Sequence, residues 1–455
     1  MSTTPAATDH SPTLTADGAD LLALVELALQ EAKVLGASQA EAAISMDVGL
    51  SVSARLGEVD TIEYQRDRGM GVTVYFGTRK GSASTGDLGA AALRETVAKA
   101  CTIARFTAED SCAGLPDRED LAQDVPSLDL SHPWDISPER ACEMAIECEA
   151  AAMAIDPSRI TNSEGAGVST HRGLRAYGNS LGFLAAYPGT VHSISCSVLG
   201  SAGEQMERDY WYSTLRDWRE LESAASVGRR AGERTVARLG ARKLATMKAP
   251  VLYSPDVARG LVSHFIGAIR GGSQYRRSSF LLEAAGQRVF PDWFALSERP
   301  HLRKALASAP FDHEGVATRD RELVDGGVLL GYVLSTYSAR KLGLRTTGNA
   351  GGTHNLLVHG RGKDLDAMLR QMDRGLYVTE LMGQGVNGVT GDYSRGASGF
   401  WVENGRIEYP VHEVTIAGNL KDMYQHIVDV GSDIDVRGGI RTGSILIEEM
   451  TIAGD

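Results

Sequence analysis

AISMDVGLSVSARLG, residues 43–57, places an apolar side chain at every second position from Ile44 to Ala54 and closes on a glycine. Such alternation is the period of a strand with one face buried and one face wet. TIEYQ (61–65) and GVTVYFGTRKGSAST (71–85) continue the pattern between Gly-containing turns, as an antiparallel meander does. Upstream, DLLALVELALQEAKVLG (20–36) carries apolar residues at helical spacing and ends on Gly36, where a left-handed cap is easy. Downstream, a second helix is predicted from about Leu88 to Phe106. The first unit therefore reads helix, sheet, helix.

Residues 107–136 are polar and contain proline, and read as a linker. SPERACEMAIECEAAAMAID (137–156) then predicts a helix with Ser137 as N-cap, Glu139 and Arg140 in its first turn and Asp156-Pro157 as its stop. The pattern from Ile160 to Tyr212 is β again, followed by a helix around 219–239. From APVLYSP (249–255) onward, short β segments such as LLGYVLSTY (329–337), GLYVTEL (375–381), GFWVENGRIEYPVHEVTIA (399–417) and SILIEEMTIA (444–453) dominate a glycine-rich region. The expectation is an α+β chain. A disordered tail (1–18) precedes an N-terminal α+β domain (19–130) and a middle α+β domain (131–245), and a β-rich, Gly-rich C-terminal domain (246–455) follows.

The 455 residues carry 46 basic and 58 acidic side chains. No Lys/Arg stripe is available to neutralise a run of phosphates, so nucleic acid is not an expected partner. Five cysteines, Cys101, Cys112, Cys142, Cys148 and Cys196, form no C-x-x-C pair and read as reduced thiols of a cytoplasmic protein. The small, polar N terminus lacks the basic and apolar parts of a signal peptide, and no apolar run reaches membrane-spanning length.

Several motif matches dissolve when the chemistry they need is checked. GQGVNG (383–388) fits G-x-G-x-x-G after a strand, but VTGDYSRGASGF follows it without helical periodicity, so no helix N-terminus would hold a pyrophosphate. GNSLG (178–182) fits the nucleophile elbow, yet Phe183–Tyr187 looks like the returning strand of a hairpin, which makes Asn179 and Ser180 turn residues. His313-Glu314 has Ala317 and Thr318 where a second histidine would sit, and His412-Glu413 lies in an alternating strand whose neighbours face opposite sides. LVSHFIGAIRGGSQYRRSSFL (261–281) starts a helix with His264. A catalytic zinc needs about three protein ligands, an open water position and a carboxylate base. Phe265 follows His264, Ala268 and Ile269 stand four and five positions on, and no cysteine follows Cys196. Read from the residues, His264 begins an amphipathic core helix.

FDHEGVATRDRELVDGGVLLGYVLSTYSARKLGLRTTGNAGG (311–352), GLYVTELMGQGVNGVTGDYSRGASGFWVENGRIEYPVHEVTIAGNLKDMYQHIVDVGSDI (375–434), SILIEEMTIAG (444–454) and the N-terminal GMGVTVYFGTRKGSASTGDL (69–88) resemble the TldD/PmbA family of cytosolic metalloproteases, once described as modulators of DNA gyrase. The resemblance spans nearly the whole chain beyond the leading tail. In this family the TldD branch carries a His-Glu-x-x-x-His zinc motif and a C-terminal cysteine ligand, and the PmbA (TldE) branch, which this chain resembles, lacks them. The resemblance implies that His264, Phe265 and Ile269 occupy the degenerate motif positions. It implies no catalytic, cofactor or metal residue in this chain, with zinc held by a TldD-type partner in a heterodimer. It further implies unfolded peptides and small labile proteins as substrates, and His264, Arg276 and Ser279, on or after this helix, are candidates to face the partner's active site. An extended peptide is held most tolerantly as a strand added to a sheet edge. The alternative from another class is a stand-alone, non-catalytic homodimer that binds peptides, and a third is a serine hydrolase using Ser180.

Overall fold

The computed structural model describes residues 18–454. Of the tail expected over 1–18, residues 1–17 lie outside the described residues, and Gly18 already opens the first helix. The chain divides into two compact units. One takes the residues up to Thr107 together with Leu130–Gly200 and Arg208–Thr235, and the other takes Ala108–Asp129, Ser201–Glu207 and the chain from Val236 onward.

The first unit is built from α1 (Gly18–Val34), β1 (Gln39–Arg55), β2 (Glu58–Phe76), β3 (Arg79–Thr85), α2 (Ala90–Phe106), α3 (Pro138–Met153), β4 (Ile160–Asn179), β5 (Leu184–Ala202), β6 (Gln205–Leu215) and α4 (Ala224–Arg238). Its strands form one sheet in the order β3-β2-β1-β4-β5-β6. β1 and β4, which flank the boundary expected at residue 130, pair antiparallel over an unbroken run from Glu41↔Asn179 to Ala54↔Ala166. The alternation read in 43–57 is realised literally. Even-numbered residues of β1 from Ala40 to Ala54 are buried, while the odd-numbered ones, Gly49 apart, keep solvent contact. Leu21, Val25 and Ala28 of α1, with Leu93, Val97 and Ala100 of α2, pack on Ala40, Ala42, Ile44 and Met46, so helices cover one face of the sheet only. Gly81 is required for this packing, because a Cβ there would sit 2.2 Å from the Ala100 carbonyl oxygen.

β1 returns into β2 through Leu56 and Gly57, both with positive φ (53° and 80°), the pattern of a two-residue type I′ hairpin. Leucine is a poor residue for the left-handed region. The turn is held from α3, where Glu149, 1% exposed, accepts hydrogen bonds from the amides of Leu56 (2.9 Å) and Gly57 (2.8 Å). A buried carboxylate thereby finds two donors, and a strained turn finds an anchor.

The second unit contains β7 (Met247–Tyr253), α5 (Pro255–Ile269), α6 (Gly271–Tyr275), β8 (Ala295–Glu298), β9 (Arg321–Asp325), β10 (Val328–Leu329), α7 (Thr336–Leu342), β11 (Leu356–His359), α8 (Leu365–Met372), β12 (Gly375–Met382), β13 (Asp392–Glu403), β14 (Arg406–Asn419), α9 (Leu420–Gln425), β15 (Ile427–Val430), β16 (Ile440–Arg441) and β17 (Ile445–Ala453). One sheet runs β10-β9-β8-β11-β16 and the other β14-β13-β12-β7-β17-β15. β14 also pairs with β17, so the second sheet curls back on itself. Most pairings are antiparallel, and β12–β7 and β11–β16 are parallel. The architecture is α+β.

Much of the segment read as a linker is not one. Residues 108–129 are fastened to the second unit: Asp110 accepts from the Tyr337 hydroxyl (2.8 Å) and Lys341 (3.0 Å), Arg340 donates to the Leu115 carbonyl, and Arg345 reaches both Glu119 and Asp120 at 2.7 Å. The Cys112 amide, then Tyr337 and Lys341, hold the Asp110 carboxyl down at about 2. A short bridge, Leu121↔Val316, adds backbone hydrogen bonds. Local polarity read as a tether because the side-chain partners on and after α7 lie more than two hundred residues away in sequence.

Removing the Glu149 anchor leaves two turn amides unpaired. Glu149→Ala is expected to lower stability by about 1–3 kcal/mol in urea unfolding, with accelerated amide exchange at Leu56 and Gly57; unchanged exchange there would refute the anchoring role.

Candidate functional site

α5 begins at Ser254-Pro255, proline being suited to the first helical position because its missing N–H has no intrahelical acceptor there. Its apolar residues Ala258, Leu261, Val262, Phe265, Ile266, Ala268 and Ile269 are all buried. Phe265 (1% exposed) meets Phe290 edge-on at 5.0 Å and Tyr424 at 5.9 Å, within a group that includes Phe294 stacked on Phe290 at 4.2 Å. Ile269 is fully buried in the same core. His264 is half-buried on another side of the helix, edge-on to Tyr393 of β13 at 6.2 Å. Burial, then the positive charge of Arg395, lowers its pKa, which favours the neutral imidazole. Phe265 and Ile269 thus turn into the aromatic core while His264 faces Tyr393. The structure accordingly does not bring His264, Phe265 and Ile269 together.

Ser279 is buried and committed, donating to the Ala268 carbonyl (2.8 Å) and accepting from the Leu281 amide (2.9 Å). Arg276 is exposed and bonds the Tyr275 hydroxyl. Gly383–Gly388 is the loop joining β12 to β13, and a strand, not a helix, follows it. Asn387 organises this loop by accepting from the amides of Val389 and Thr390. Ser180 sits in the β4–β5 hairpin turn, where its hydroxyl accepts from the Ala40 amide at 3.0 Å. Glu314 accepts from the Thr336 amide at the start of α7. His412-Glu413 departs from regular alternation, since Glu413 has φ +53° at a break in the β13–β14 register. His412 meets Glu207 at 3.2 Å, and Glu413 faces Lys243.

One cluster has no counterpart in the sequence reading. Glu298, at the end of β8 and 2% exposed, accepts from Arg321 (2.8 Å), the Asn349 amide group (2.8 Å) and the backbone (2.6 Å) and Nδ1 (3.3 Å) of His354. Burial pushes its carboxyl up, but the His354 and Arg321 contacts outweigh that and leave it below the usual value. Arg321 also donates to Asn349 Oδ1 and the Tyr332 carbonyl. Beside it, Asp312 accepts from the amides of Glu314, Val316 and Ala350, yet burial and then the charge of Glu314 raise it to about 7. These groups lock the loop TTGNAGGTH (346–354). Its glycines and asparagine announced a turn, whereas nothing in ALSE (295–298) announced a buried carboxylate. The cluster pairs charges and presents no nucleophile next to a base. Among the described residues, no group of three or more His, Cys, Asp or Glu side chains is arranged to hold a metal ion. No helix among them is long and apolar enough to cross a membrane.

Comparison with known proteins gives these features a family. Sequence models described as PmbA/TldA metallopeptidase domain 1, central domain and C-terminal domain match residues 40–104, 131–239 and 246–454. The chain is 52% identical over 415 residues to the metalloprotease PmbA of Escherichia coli O157:H7, covering 91% of this chain and 92% of that one. A crystal structure described as a putative modulator of DNA gyrase from Bacteroides thetaiotaomicron superimposes with a TM-score of 0.90 at 28% identity, covering 95% of this chain and 98% of that one. TldE from Thermococcus kodakarensis shares the fold at a TM-score of 0.83 and 20% identity, over 95% of this chain and all of that one. This chain belongs to the PmbA/TldD family of metallopeptidases.

Proposed function

We propose that this chain is the subunit without the metal in a cytoplasmic two-subunit zinc peptidase, pairing with a TldD-type subunit that holds the zinc and cuts unfolded peptides and small labile proteins. The observation that carries the reading is the fate of three positions on α5. Phe265 and Ile269 are spent on the aromatic core, and His264 is left as a single imidazole beside Tyr393. A zinc shell needs about three ligands and a base to take the proton from bound water. The α5 residues do not fit that need, so no hydrolytic step is assigned to this chain. The family supplies the reaction class, peptide-bond hydrolysis. The older association with gyrase in relatives' names is not carried over to DNA contact here: the chain has net charge −12, and its sequence carries no Lys/Arg stripe of the kind that phosphate binding uses.

The decisive experiment measures zinc content and peptidase activity of the purified chain with and without a TldD-type subunit. The chain alone is expected to hold substoichiometric zinc and to leave unfolded peptides intact, while the one-to-one pair cleaves them and loses activity on chelation. Stoichiometric zinc with chelator-sensitive cleavage by the chain alone would sink the reading. A stable homodimer that binds peptides and ignores the TldD-type subunit would favour the scaffold alternative.

Two substitutions test the local claims. Phe265→Glu places a carboxylate among Phe290, Phe294 and Tyr424 and is expected to destabilise the chain by at least about 3 kcal/mol without creating zinc affinity; a folded variant that binds zinc would contradict this. Ser180→Ala removes one hydrogen bond worth about 1 kcal/mol and is expected to leave cleavage by the complex unchanged, with active-site titration by a serine-directed reagent as the check.

A further inference from the structure

The first unit leaves one long strand edge open. β3 pairs with β2 only from Met70↔Thr85 to Phe76↔Arg79, so among the described residues the outer edge of β2 from Glu58 to Gly69 has no strand beside it. Every residue from Glu58 to Arg68 is exposed. At about 3.4 Å per residue this edge is about 40 Å long, and alternate residues turn their N–H and C=O outward.

The two faces along this edge differ in chemistry. Cross-strand partners share a face, and Tyr64, Ile62 and Val59 stand opposite Leu50, Val52 and Ala54 of β1, which are buried. They extend the helical, apolar face outward at 45%, 47% and 47% exposure, and beyond Tyr64 the same face carries Arg66 and Arg68, opposite Val48 and Met46. On the other face, Glu58, Glu63 and Asp67 stand opposite Arg55, Ser51 and Asp47, and Asp60 joins them by accepting from Ser53. The Glu149 anchor on the hairpin turn holds the arm in place before anything binds.

We propose that the outer edge of β2, Glu58–Gly69, accepts an extended segment of another polypeptide as an added strand, and that the preferred segment alternates apolar residues, laid over Val59, Ile62 and Tyr64, with basic residues facing Glu58, Asp60, Glu63 and Asp67. This rests on the reading that the substrates are unfolded peptides, and it names their chemical class. A second copy of the chain is the poorer occupant. Antiparallel pairing of two β2 edges keeps like faces together and sets two rows of carboxylates side by side, and opposed like charges destabilise a strand pair. A single strand also offers far less area than the 1,200 Å² or more that stable interfaces between folded proteins bury, whereas strand addition draws its affinity from main-chain hydrogen bonds.

The test titrates the full chain, alone, with a fluorescein-labelled ten-residue peptide alternating lysine and valine. It follows anisotropy and backbone amide exchange. Saturable binding is expected, with exchange slowed in 58–69 and unchanged in 70–76, which β3 already covers. Replacing lysine by glutamate in the peptide, methylating alternate peptide nitrogens, or introducing Ile62→Asp with Tyr64→Asp should each weaken binding at least tenfold. Both side chains are exposed, and unchanged urea unfolding of that variant would confirm that it stays folded. Binding that leaves exchange in 58–69 unaltered, or that tolerates the methylated peptide, overturns the proposal. So does protection of 58–69 in the free chain that grows with its concentration alongside a doubled mass, which would assign the edge to a second copy. Because no cleavage is read, the outcome stands apart from that of the zinc and activity measurements.

Discussion

The first unit depends on a single constraint, the hydrogen bonding of β1 on both edges at once. β1 pairs with β2 from Gln39↔Tyr75 to Arg55↔Glu58 and with β4 from Glu41↔Asn179 to Ala54↔Ala166. A slip of one residue would turn Ile44, Met46, Val48, Leu50 and Val52 out to water and bring Ser45, Asp47 and Ser51 under the helices. Register is therefore specified over almost the full strand, and the segments 39–85 and 160–202, far apart in sequence, are set into one sheet. What α1 and α2 cover follows from this, as does the hairpin turn that Glu149 must hold.

In the second unit the comparable constraint is aromatic packing around α5. A helix that serves a zinc ion must turn polar ligands towards one wet cavity, while a helix that builds a core must turn apolar residues inward, and the two demands compete for the same positions. In α5 the inward positions include Phe265 and Ile269, whose burial ties the helix to Phe290, Phe294 and Tyr424. What polar organisation the unit has lies instead around Glu298 and Asp312, in loops that Arg321, Asn349 and His354 hold in place.

The sequence discloses these arrangements unevenly, for physical reasons. Alternation in 43–57 and helical spacing in 20–36 and 137–156 are local signals, and β1, α1 and α3 match them. Ser137 caps α3 through the Arg140 amide, as its position implied. The G-x-G-x-x-G and G-x-S-x-G matches failed in sequence for want of a following helix, and the structure has a strand after Gly383–Gly388 and a hairpin at Ser180. What could not be read is what depends on distant partners. The β1–β4 register, the fastening of 108–129 to α7 and the convergence of Glu298, Arg321, Asn349 and His354 each join residues that no local period connects. The bulge that carries Glu413 was missed because alternation gives no sign of an inserted residue.

The fastening of 108–129 also has a consequence in time. Asp110 and Lys341 are separated by 231 residues, and a ribosome adding roughly 5–20 residues per second needs on the order of ten to fifty seconds to make the span between them. Throughout that interval the nascent strap, rich in Asp and Glu, waits without its arginines and lysine. Its strong polarity is what such a wait demands, since a greasy segment of the same length would be free to mispair with the unfinished sheet that has already emerged before it.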